Sequence, residues 1–322
     1  MDASFETILI GTSLDEASDA VVTAGLEIAR AAGARVFLAH AHQRPWGQAG
    51  STDLTEEGLE RMLEMEEVLA CRMKEQILRL GLREEELAGT AIEDGPAHWV
   101  LIDVADHCDA GLIVIGATGS PRRSKLFGST ADRVIRHSAA PVLMVRDRLR
   151  APLRRVLMPV DLTPLSAAVF RQGLNLLRRI VPEEAMLEAV MVLDGHGRQP
   201  GEPRELSLAA EITALADLER FVARNAVWRK DRIATWLICH GVEEEIWEQP
   251  GEWRSDLVVL GADAREGFER LLLGQMAADV VQHGPASVLL IPPAAERVEA
   301  ELPVAVGIAA ADRLYSGAVS TM

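Results

Sequence analysis

The second half of this chain repeats the first, and this repeat limits the possible folds more than any other feature. Three pairs of segments align at offsets of 145 to 148 residues: Ile8–Leu14 with Val156–Leu162, Leu112–Thr118 with Leu257–Asp263, and Pro141–Val145 with Ser287–Ile291. A period of this length indicates a duplicated domain, because solenoid repeats are only about 20–50 residues long. The sequence therefore predicts a first domain over residues 1–148, a second over 152–293 and a C-terminal tail over 294–322.

Within each copy, short apolar segments alternate with segments of helical periodicity. The predicted strands are 7–12, 35–41, 88–93, 112–116 and 141–146 in the first copy, and 154–160, 186–193, 232–238, 256–260 and 287–291 in the second. The first copy's predicted helices are 15–32, 55–80, 97–107 and 129–137. The first of them opens with Ser13-Leu14-Asp15-Glu16, a cap with acids in the first turn, and closes at Gly33. Strands rich in Val, Ile and Leu that alternate with helices are typical of parallel sheets covered on both faces. We expect an α/β fold of two tandem, doubly wound, five-stranded parallel sheets, with ligands at the carboxyl ends of the strands.

Charge and composition exclude several classes of protein. The net charge of −16 argues against binding to nucleic acid or to acidic membranes, which require a basic surface. The three cysteines have no CxxC spacing, which excludes a disulfide framework and a cysteine zinc site. The N-terminal segment has no basic region typical of a signal peptide, and no apolar run approaches the roughly 20 residues of a membrane span. A cytoplasmic location is therefore expected.

A glycine-rich loop follows the fourth predicted strand. Gly116 and Gly119 precede a basic segment with Arg122, Arg123 and Lys125, and Gly128 then opens a helix with Ser129 and Thr130. Glycine permits close approach of the backbone to an oxyanion, and the N–H groups at a helix start favour phosphate. These residues suit a polyphosphate ligand, and a tight strand-to-helix turn with a solvated basic loop explains them equally well.

These motifs resemble the universal stress protein family in its tandem form. Family members carry Gly-x2-Gly-x9-Gly-[Ser/Thr] after the fourth strand, and the chain matches it at Gly116, Gly119, Gly128 and Ser129 with a spacer one residue shorter. The segment Gly95-Pro96, and His137 followed by Pro141–Val145, fit the family as well, and the resemblance covers residues 5–147 and, more loosely, 153–292. It implies the adenine nucleotide alpha hydrolase-like fold. It also implies that the fifth strands are edges, so we expect them to lie together and join the copies into a pseudo-dimer.

The resemblance implies an adenine-nucleotide site in the first copy and a degenerate site in the second. The expected nucleotide-binding residues are Thr12, Ser13, His40, Gly116, Gly119, Arg122, Arg123, Lys125, Gly128, Ser129 and Thr130. The degenerate second site comprises Asp161, Gly261, Ala264, Gly274 and Gln275. ATP-binding members have an aspartate where Ser13 stands, so the first copy is expected to distinguish ATP from GTP poorly. In the second copy Asp161 keeps the aspartate, but Ala264 and Gln275 replace a glycine and a hydroxyl of the loop.

Other chemistries are not supported by the motifs. The sequence lacks a P-loop, a dinucleotide-binding Gly-x-Gly-x-x-Gly after the first strand and a Gly-x-Ser-x-Gly elbow. The His40–His42 pair has no evident third metal ligand nearby in sequence, so no metal is expected other than Mg²⁺ accompanying a nucleotide. The sequence predicts a non-enzymatic stress-response protein that binds ATP or another adenine nucleotide in its first domain. The alternatives are a protein-interaction scaffold without nucleotide and, less favoured, a slow ATPase. A protein partner and a homodimer also agree with the sequence, which identifies neither.

Overall fold

The elements follow the alternation expected from the sequence. This computed structural model describes residues 5–42, 56–117, 129–146, 149, 152–192, 208–229, 232–238, 255–261 and 286–292. Its strands are β1 (Thr7–Gly11), β2 (Arg35–His42), β3 (Leu87–Asp94), β4 (Leu112–Gly116), β5 (Val142–Val145), β6 (Arg155–Pro159), β7 (Met186–Val192), β8 (Ile233–Ile238), β9 (Leu257–Gly261) and β10 (Ser287–Ile291). Its α-helices are α1 (Glu16–Ala32), α2 (Glu56–Arg79), α3 (Ala97–His107), α4 (Ser129–His137), α5 (Pro164–Ile180) and α6 (Leu208–Asn225), and a short 3-10 helix spans Glu84–Glu86.

The described strands form one ten-stranded sheet, in which the two expected five-stranded sheets are joined. Their order is β3-β2-β1-β4-β5-β10-β9-β6-β7-β8. All neighbours within each half are parallel, and each half has the doubly wound order expected from the sequence. The halves meet where β5 and β10 pair antiparallel, which confirms the predicted contact between the fifth strands.

The junction between the halves has approximate twofold symmetry. Leu289 lies directly opposite Leu143, its equivalent in the first copy. The flanking pairs, Val288 with Met144 and Leu290 with Val142, are related by exchange of the two copies. A twofold axis therefore passes close to the two leucines, as in the isologous interface of a symmetric dimer.

Helix α1 begins and ends as its sequence predicts. The Asp15 side chain accepts a hydrogen bond from the Ser18 N–H, and Gly33 closes the helix in the left-handed conformation at φ 67°. Strand β5 begins at Val142 rather than at the predicted residue 141. Pro141 has no N–H for the ladder, although its carbonyl still accepts from the Ile113 N–H at 2.9 Å.

The eight inner strands of the sheet are buried on both faces, whereas the edge strands β3 and β8 are partly exposed. Helices α1, α2, α5 and α6 cover one face with a single apolar cluster that runs through both halves and contains Leu143 and Leu289. Helices α3 and α4 cover the other face of the first half. Because β1 leads to a helix on one face and β4 to a helix on the other, the carboxyl ends of these adjacent strands border a crevice.

Candidate functional site

The crevice at the carboxyl ends of β1 and β4 is the candidate site of the first copy. Gly11 and Thr12 end β1, and Gly116 and Ala117 end β4, where the Ala117 N–H donates to a carbonyl of β5 at 2.9 Å. A Cβ at Gly116 would lie 3.2 Å from a methyl group of Val21. Helix α1 therefore packs closely against the end of β4, and this packing fixes one wall of the crevice.

A buried polar network holds the loop between β1 and α1. The Thr12 hydroxyl donates to Gln76 Oε1 at 2.7 Å and accepts from the Leu14 N–H at 3.0 Å. Gln76 is fully buried on α2, and its amide donates to Ser18 Oγ at 3.1 Å and to Asp19 Oδ1 at 2.8 Å. The Thr12 hydroxyl is thus bonded to protein groups, and its N–H also donates to the Ala39 carbonyl at 2.9 Å, so Thr12 holds the loop in place.

The network ends in an ion pair at the surface. The guanidinium of Arg79 donates two hydrogen bonds of 2.9 Å to the carboxylate of Asp19, and this pairing lowers the pKa of Asp19. Gln76 and Arg79 were not predicted as site residues. The periodicity of α2 could have indicated Gln76, because it lies three residues after buried Met73 and so falls on the buried face of the helix.

His40 is fixed by the same loop. Its Nδ1 lies 2.8 Å from the Thr12 carbonyl oxygen. A carbonyl only accepts, so Nδ1 carries the proton and Nε2 is left as the acceptor. Burial is the largest influence on the pKa of His40 and lowers it, despite the opposing hydrogen bond to Thr12. His42 lies two residues further on the same face of β2, and within the described part of the chain its buried Nδ1 has no hydrogen-bond partner.

The first loop of the first copy still carries a carboxylate, although Ser13 replaces the expected aspartate. The Ser13 hydroxyl donates to Asp15 Oδ1 at 2.7 Å, and the Ser18 N–H donates to the same oxygen at 3.0 Å. Burial works to raise the pKa of Asp15, but the hydrogen bonds from Ser13 and Ser18 outweigh it and lower the pKa. Asp15 thus places an acid two residues after Ser13, and the poor discrimination between ATP and GTP expected from Ser13 stays a prediction.

The second copy has the same hydroxyl–carboxylate pair in the opposite order. The Thr163 hydroxyl donates to Asp161 Oδ1 at 2.7 Å and accepts from the Ser166 N–H at 3.1 Å, so threonine caps α5. The residue between the members of each pair is a leucine with positive φ, 59° at Leu14 and 64° at Leu162. The loops therefore have equivalent conformations with the acid and the hydroxyl exchanged.

The second copy lacks the buried polar network at the equivalent positions. The strand registers place Val160 where the first copy has Thr12, and Met191 where it has His40. Val160 is 3% exposed and Met191 is 6% exposed. Apolar packing thus replaces the hydrogen bonds that hold the loop in the first copy.

The structure brings some of the predicted site residues together and leaves others undescribed. Thr12, Ser13, His40 and Gly116 lie at the carboxyl ends of β1, β2 and β4, and Ser129 and Thr130 begin α4. Asp161 and Gly261 follow β6 and end β9 in the second copy. Outside the described residues lie Gly119, Arg122, Arg123, Lys125, Gly128, Ala264, Gly274 and Gln275.

The described residues offer neither a membrane span nor a metal cluster. None of the described helices combines the length and apolar character needed to cross a bilayer. Across the same ranges, no group of three or more His, Cys, Asp and Glu side chains is arranged to hold a metal ion.

Known proteins with similar sequences share one family. The sequence model of the Universal stress protein family matches residues 4–146 and 152–292. A universal stress protein of Mycobacterium tuberculosis is 27% identical over 199 residues, which cover 60% of this chain and 68% of that protein. Universal stress protein A homolog 2 of Coxiella burnetii is 27% identical over 154 residues, 44% of this chain and 96% of its own length.

Solved structures share the fold over nearly the whole chain. A universal stress protein from Archaeoglobus fulgidus has a TM-score of 0.61 at 15% identity and covers 90% of this chain and 99% of its own. A functionally unknown protein from Pseudomonas aeruginosa has a TM-score of 0.60 at 16% identity and covers 91% of this chain and 94% of its own. At these identities the likeness establishes the two-domain fold.

Proposed function

Because the chain belongs to the universal stress protein family, we propose that it is a regulatory protein whose first domain binds ATP or another adenine nucleotide. The first domain is residues 1–148 and the second, residues 152–293, is its pseudo-symmetric partner without a nucleotide site of the usual kind. The protein responds to the bound nucleotide through a protein partner and has no enzymatic role.

The difference between the two first loops carries this proposal. In the first copy Thr12, Gln76 and His40 form hydrogen bonds at the crevice, whereas apolar Val160 and Met191 stand at the positions equivalent to Thr12 and His40 in the second. Buried polar groups cost free energy unless they are paired, so apolar packing is the simpler way to hold a loop. A network of polar side chains in only one of the two copies is expected where that copy must position a ligand.

The unpaired nitrogen of His42 supports a ligand at the same place. Buried polar atoms in native proteins nearly always have a partner. His42 Nδ1 has none among the described residues, and it lies on the same face of β2 as His40. A bound ligand with a donor or acceptor group would supply this missing partner.

The glycine loop is the proposed phosphate site. Gly116 brings the end of β4 close to α1, and α4 begins with Ser129 and Thr130 at the far end of the loop. The N–H groups at the start of a helix favour anions, and Arg122, Arg123 and Lys125 supply positive charge between the two glycine groups. Mg²⁺ would accompany the nucleotide phosphates without a separate protein site.

Substitution of the equivalent glycines of the two loops tests the assignment. Gly128→Val should weaken ATP binding at least about tenfold in titration calorimetry, because a branched side chain holds the backbone away from phosphate. The matched control, Gly274→Val, changes the same position of the second copy and should leave ATP binding intact. Equal losses of ATP affinity in the two variants would show that the assignment of the site to the first copy is wrong.

The same measurements separate the alternative functions. A wild-type protein that binds neither ATP, ADP nor AMP would favour the protein-interaction scaffold. Release of phosphate from ATP, lost in Gly128→Val and kept in Gly274→Val, would favour a slow ATPase.

A further inference from the structure

We propose that the second copy binds a small organic carboxylate in a cavity between α5 and α6, where the guanidinium of Arg224 receives the carboxylate group. The site is separate from the proposed nucleotide site and does not depend on it. The carboxylate of the ligand takes the place that the side chain of Asp19 occupies in the first copy.

In the first copy, an acid of α1 and an arginine of α2 join the two helices. Asp19 lies four residues after the cap of α1, and its two carboxylate oxygens accept hydrogen bonds of 2.9 Å from Nε and Nη2 of Arg79. Two parallel bonds of this kind are the geometry in which the planar guanidinium matches a carboxylate. The pair shows which group an arginine at this place in the fold binds.

The second copy keeps the arginine of this pair. On α2, buried Gln76 is followed three residues later by Arg79. On α6, buried Phe221 is followed three residues later by Arg224. Both residues of α6 lie 145 positions after their counterparts on α2, and the same offset relates β4 to β9. Arg224 is therefore the equivalent of Arg79.

The second copy lacks the acid of this pair. Thr163 caps α5 as Asp15 caps α1, so the residue four positions after the cap is Ala167 instead of Asp19. Within the part of the chain that the structure describes, Arg224 forms no hydrogen bond and no ion pair. Its guanidinium is thus an unpaired cation where the first copy has a closed ion pair.

A cavity of about 320 Å³ lies between the two helices at this place. Ala167 of α5 and Arg224 of α6 both line it, and Leu162, Pro164 and Phe221 give it apolar walls. Ligand pockets in proteins start at roughly 300 Å³, so the cavity has room for a small molecule rather than for a lone ion only. An organic carboxylate with a short apolar chain matches both the cation and the walls.

The charges around the cavity favour a singly charged anion. Asp217, an acid in the cavity wall, forms an ion pair with Arg220. Arg171 donates to Asn225 Oδ1 at 2.6 Å, which places another positive charge beside the cavity. The first turn of α5 has no acidic residue, whereas that of α1 has two. A dianionic phosphate would also be repelled by Asp217, so the carboxylate is the better fit.

The test measures binding of sodium butyrate to the full chain by titration calorimetry, with phosphate and sulfate as comparison anions and sodium chloride to keep the ionic strength constant. Butyrate combines one carboxylate with a short apolar chain. Thermal melting gives a second readout, because a ligand that binds only the folded protein raises its melting temperature. Melting without ligand also establishes that each variant folds.

Three variants locate the ligand. Arg224→Gln removes the unpaired cation, and Ala167→Asp supplies the acid of the first copy, so that an internal carboxylate competes for Arg224. Arg178→Gln is the matched control, because Arg178 is an exposed arginine of α5 outside the cavity. Arg224→Lys, which keeps the charge and loses the fork of donors, serves as a second probe if Arg224→Gln melts early.

We expect the wild type to bind one butyrate per chain, and more tightly than phosphate or sulfate. Arg224→Gln should lower the affinity for butyrate at least about tenfold, since it removes hydrogen bonds between charged groups. Ala167→Asp should abolish the binding, Arg224→Lys should weaken it, and Arg178→Gln should leave it unchanged.

Three outcomes overturn the inference. A wild-type protein that does not bind butyrate has no such site. Binding at wild-type affinity in Arg224→Gln or in Ala167→Asp places the ligand elsewhere. Phosphate or sulfate that binds as tightly as butyrate shows a general anion site and overturns the assignment to a carboxylate.

Discussion

At the residue scale, Gln76 shows how a single buried amide links the candidate site to a surface helix. It lies on α2 with no exposed surface, and it bonds Thr12, Ser18 and Asp19 through both ends of its amide. Its replacement would remove one partner from each of the buried hydroxyls of Thr12 and Ser18, which would keep their contact with each other at 3.0 Å. Such losses cost more than the bond itself contributes, because the group left behind stays desolvated.

We expect Gln76→Met to destabilise the protein by about 1–3 kcal/mol, the usual cost of a buried unsatisfied polar group. Methionine has a similar volume and keeps helix propensity, so the loss reports on the hydrogen bonds. Urea denaturation measures it, with Lys74→Met on the exposed side of α2 as control. A loss no larger than that of the control would show that the network contributes nothing to stability.

The Glu86 carboxyl makes the free energy of unfolding depend on pH. Its carboxylate accepts hydrogen bonds from the side chains of Arg30, at 2.6 and 3.1 Å, and of Arg83, at 2.8 Å, and the arginines hold its pKa far below the usual range. A carboxyl whose pKa is lowered on folding stabilises the protein above its unfolded pKa, about 4.3 for glutamate. That contribution is lost as the pH falls below this value.

The corresponding variant is Glu86→Gln. We expect its free energy of unfolding at pH 7 to be about 1.5–3 kcal/mol below that of the wild type, which is the contribution of hydrogen bonds to a charged group. The difference should shrink as the pH falls from 5 to 2. Urea denaturation at each pH gives the two curves. Glu85→Gln, which removes an exposed partner of Arg83 at 2.9 Å, should lose less than about 1 kcal/mol. Parallel curves for the wild type and Glu86→Gln would contradict the assignment.

Single residues were the hardest part of the site to predict from the sequence. The start of α1 was predictable, because a capping residue followed by acids before an apolar periodic segment marks a helix start, but the sequence did not single out Asp15 as the cap. The bond between Ser13 and Asp15, and the burial of Gln76, depend on contacts between segments about 60 residues apart or on loop conformation. A sequence pattern records neither.

At the element scale, equivalent glycines set the distance between helix and sheet in each half. Gly25 of α1 packs on β1, where an added Cβ would overlap Ile10 Cδ1 and lie 2.8 Å from Ile10 Cγ1. A Cβ added at Gly173 of α5 would lie 3.0 Å from the terminal methyl of Met158 and 3.0 Å from Val259 Cγ1. The first contact involves the body of a fully buried side chain, whereas methionine can move its tip.

This asymmetry predicts different responses to the same substitution. Gly25→Ala should lose about 1–3 kcal/mol through overpacking, after a gain of about 1 kcal/mol in helix propensity is included. Gly173→Ala should lose less stability than Gly25→Ala, because the Met158 methyl can move aside and the gain in propensity offsets part of the strain against Val259 Cγ1. Denaturation midpoints of the two variants provide the comparison. A loss at Gly173→Ala equal to that at Gly25→Ala would show that the two helices pack alike.

The elements themselves were predictable because two signals agreed. Alternation of apolar and helical segments located the strands, and the internal repeat located each element twice. The difference at β5 arises from Pro141, whose missing N–H delays the strand by one residue. What the alternation could not show is that the two sheets become one.

At the scale of the whole molecule, the antiparallel pair of β5 and β10 unites the two halves. Leu143 and Leu289 are 1% and 0% exposed and lie opposite one another in this pair. Both belong to the apolar cluster that continues through the two halves. The halves therefore share a core as well as a sheet, and we expect them to unfold together.

Alanine at either leucine should destabilise the protein by about 2–5 kcal/mol and leave a single unfolding transition. Leu143 and Leu289 are direct cross-strand neighbours. The loss of stability in the double variant should therefore differ from the sum of the two single losses by at least about 0.5 kcal/mol. Leu9→Ala combined with Leu289→Ala is the control, since Leu9 is buried on β1 away from the junction, and that pair should be additive. Two separate transitions in the wild type would show that the halves are independent.

The junction between the halves also affects how the sequences of the two copies can change independently. In a dimer of identical chains, every substitution appears in both subunits, so a change that weakens one site weakens the other. Here the partner is part of the same polypeptide, held at high effective concentration by a short connection. Val160 and Met191 could therefore replace the polar residues in one copy while Thr12 and His40 remain in the other. Fusion thus fixes the ratio at one first copy for each second copy, and selection can act on the two copies separately.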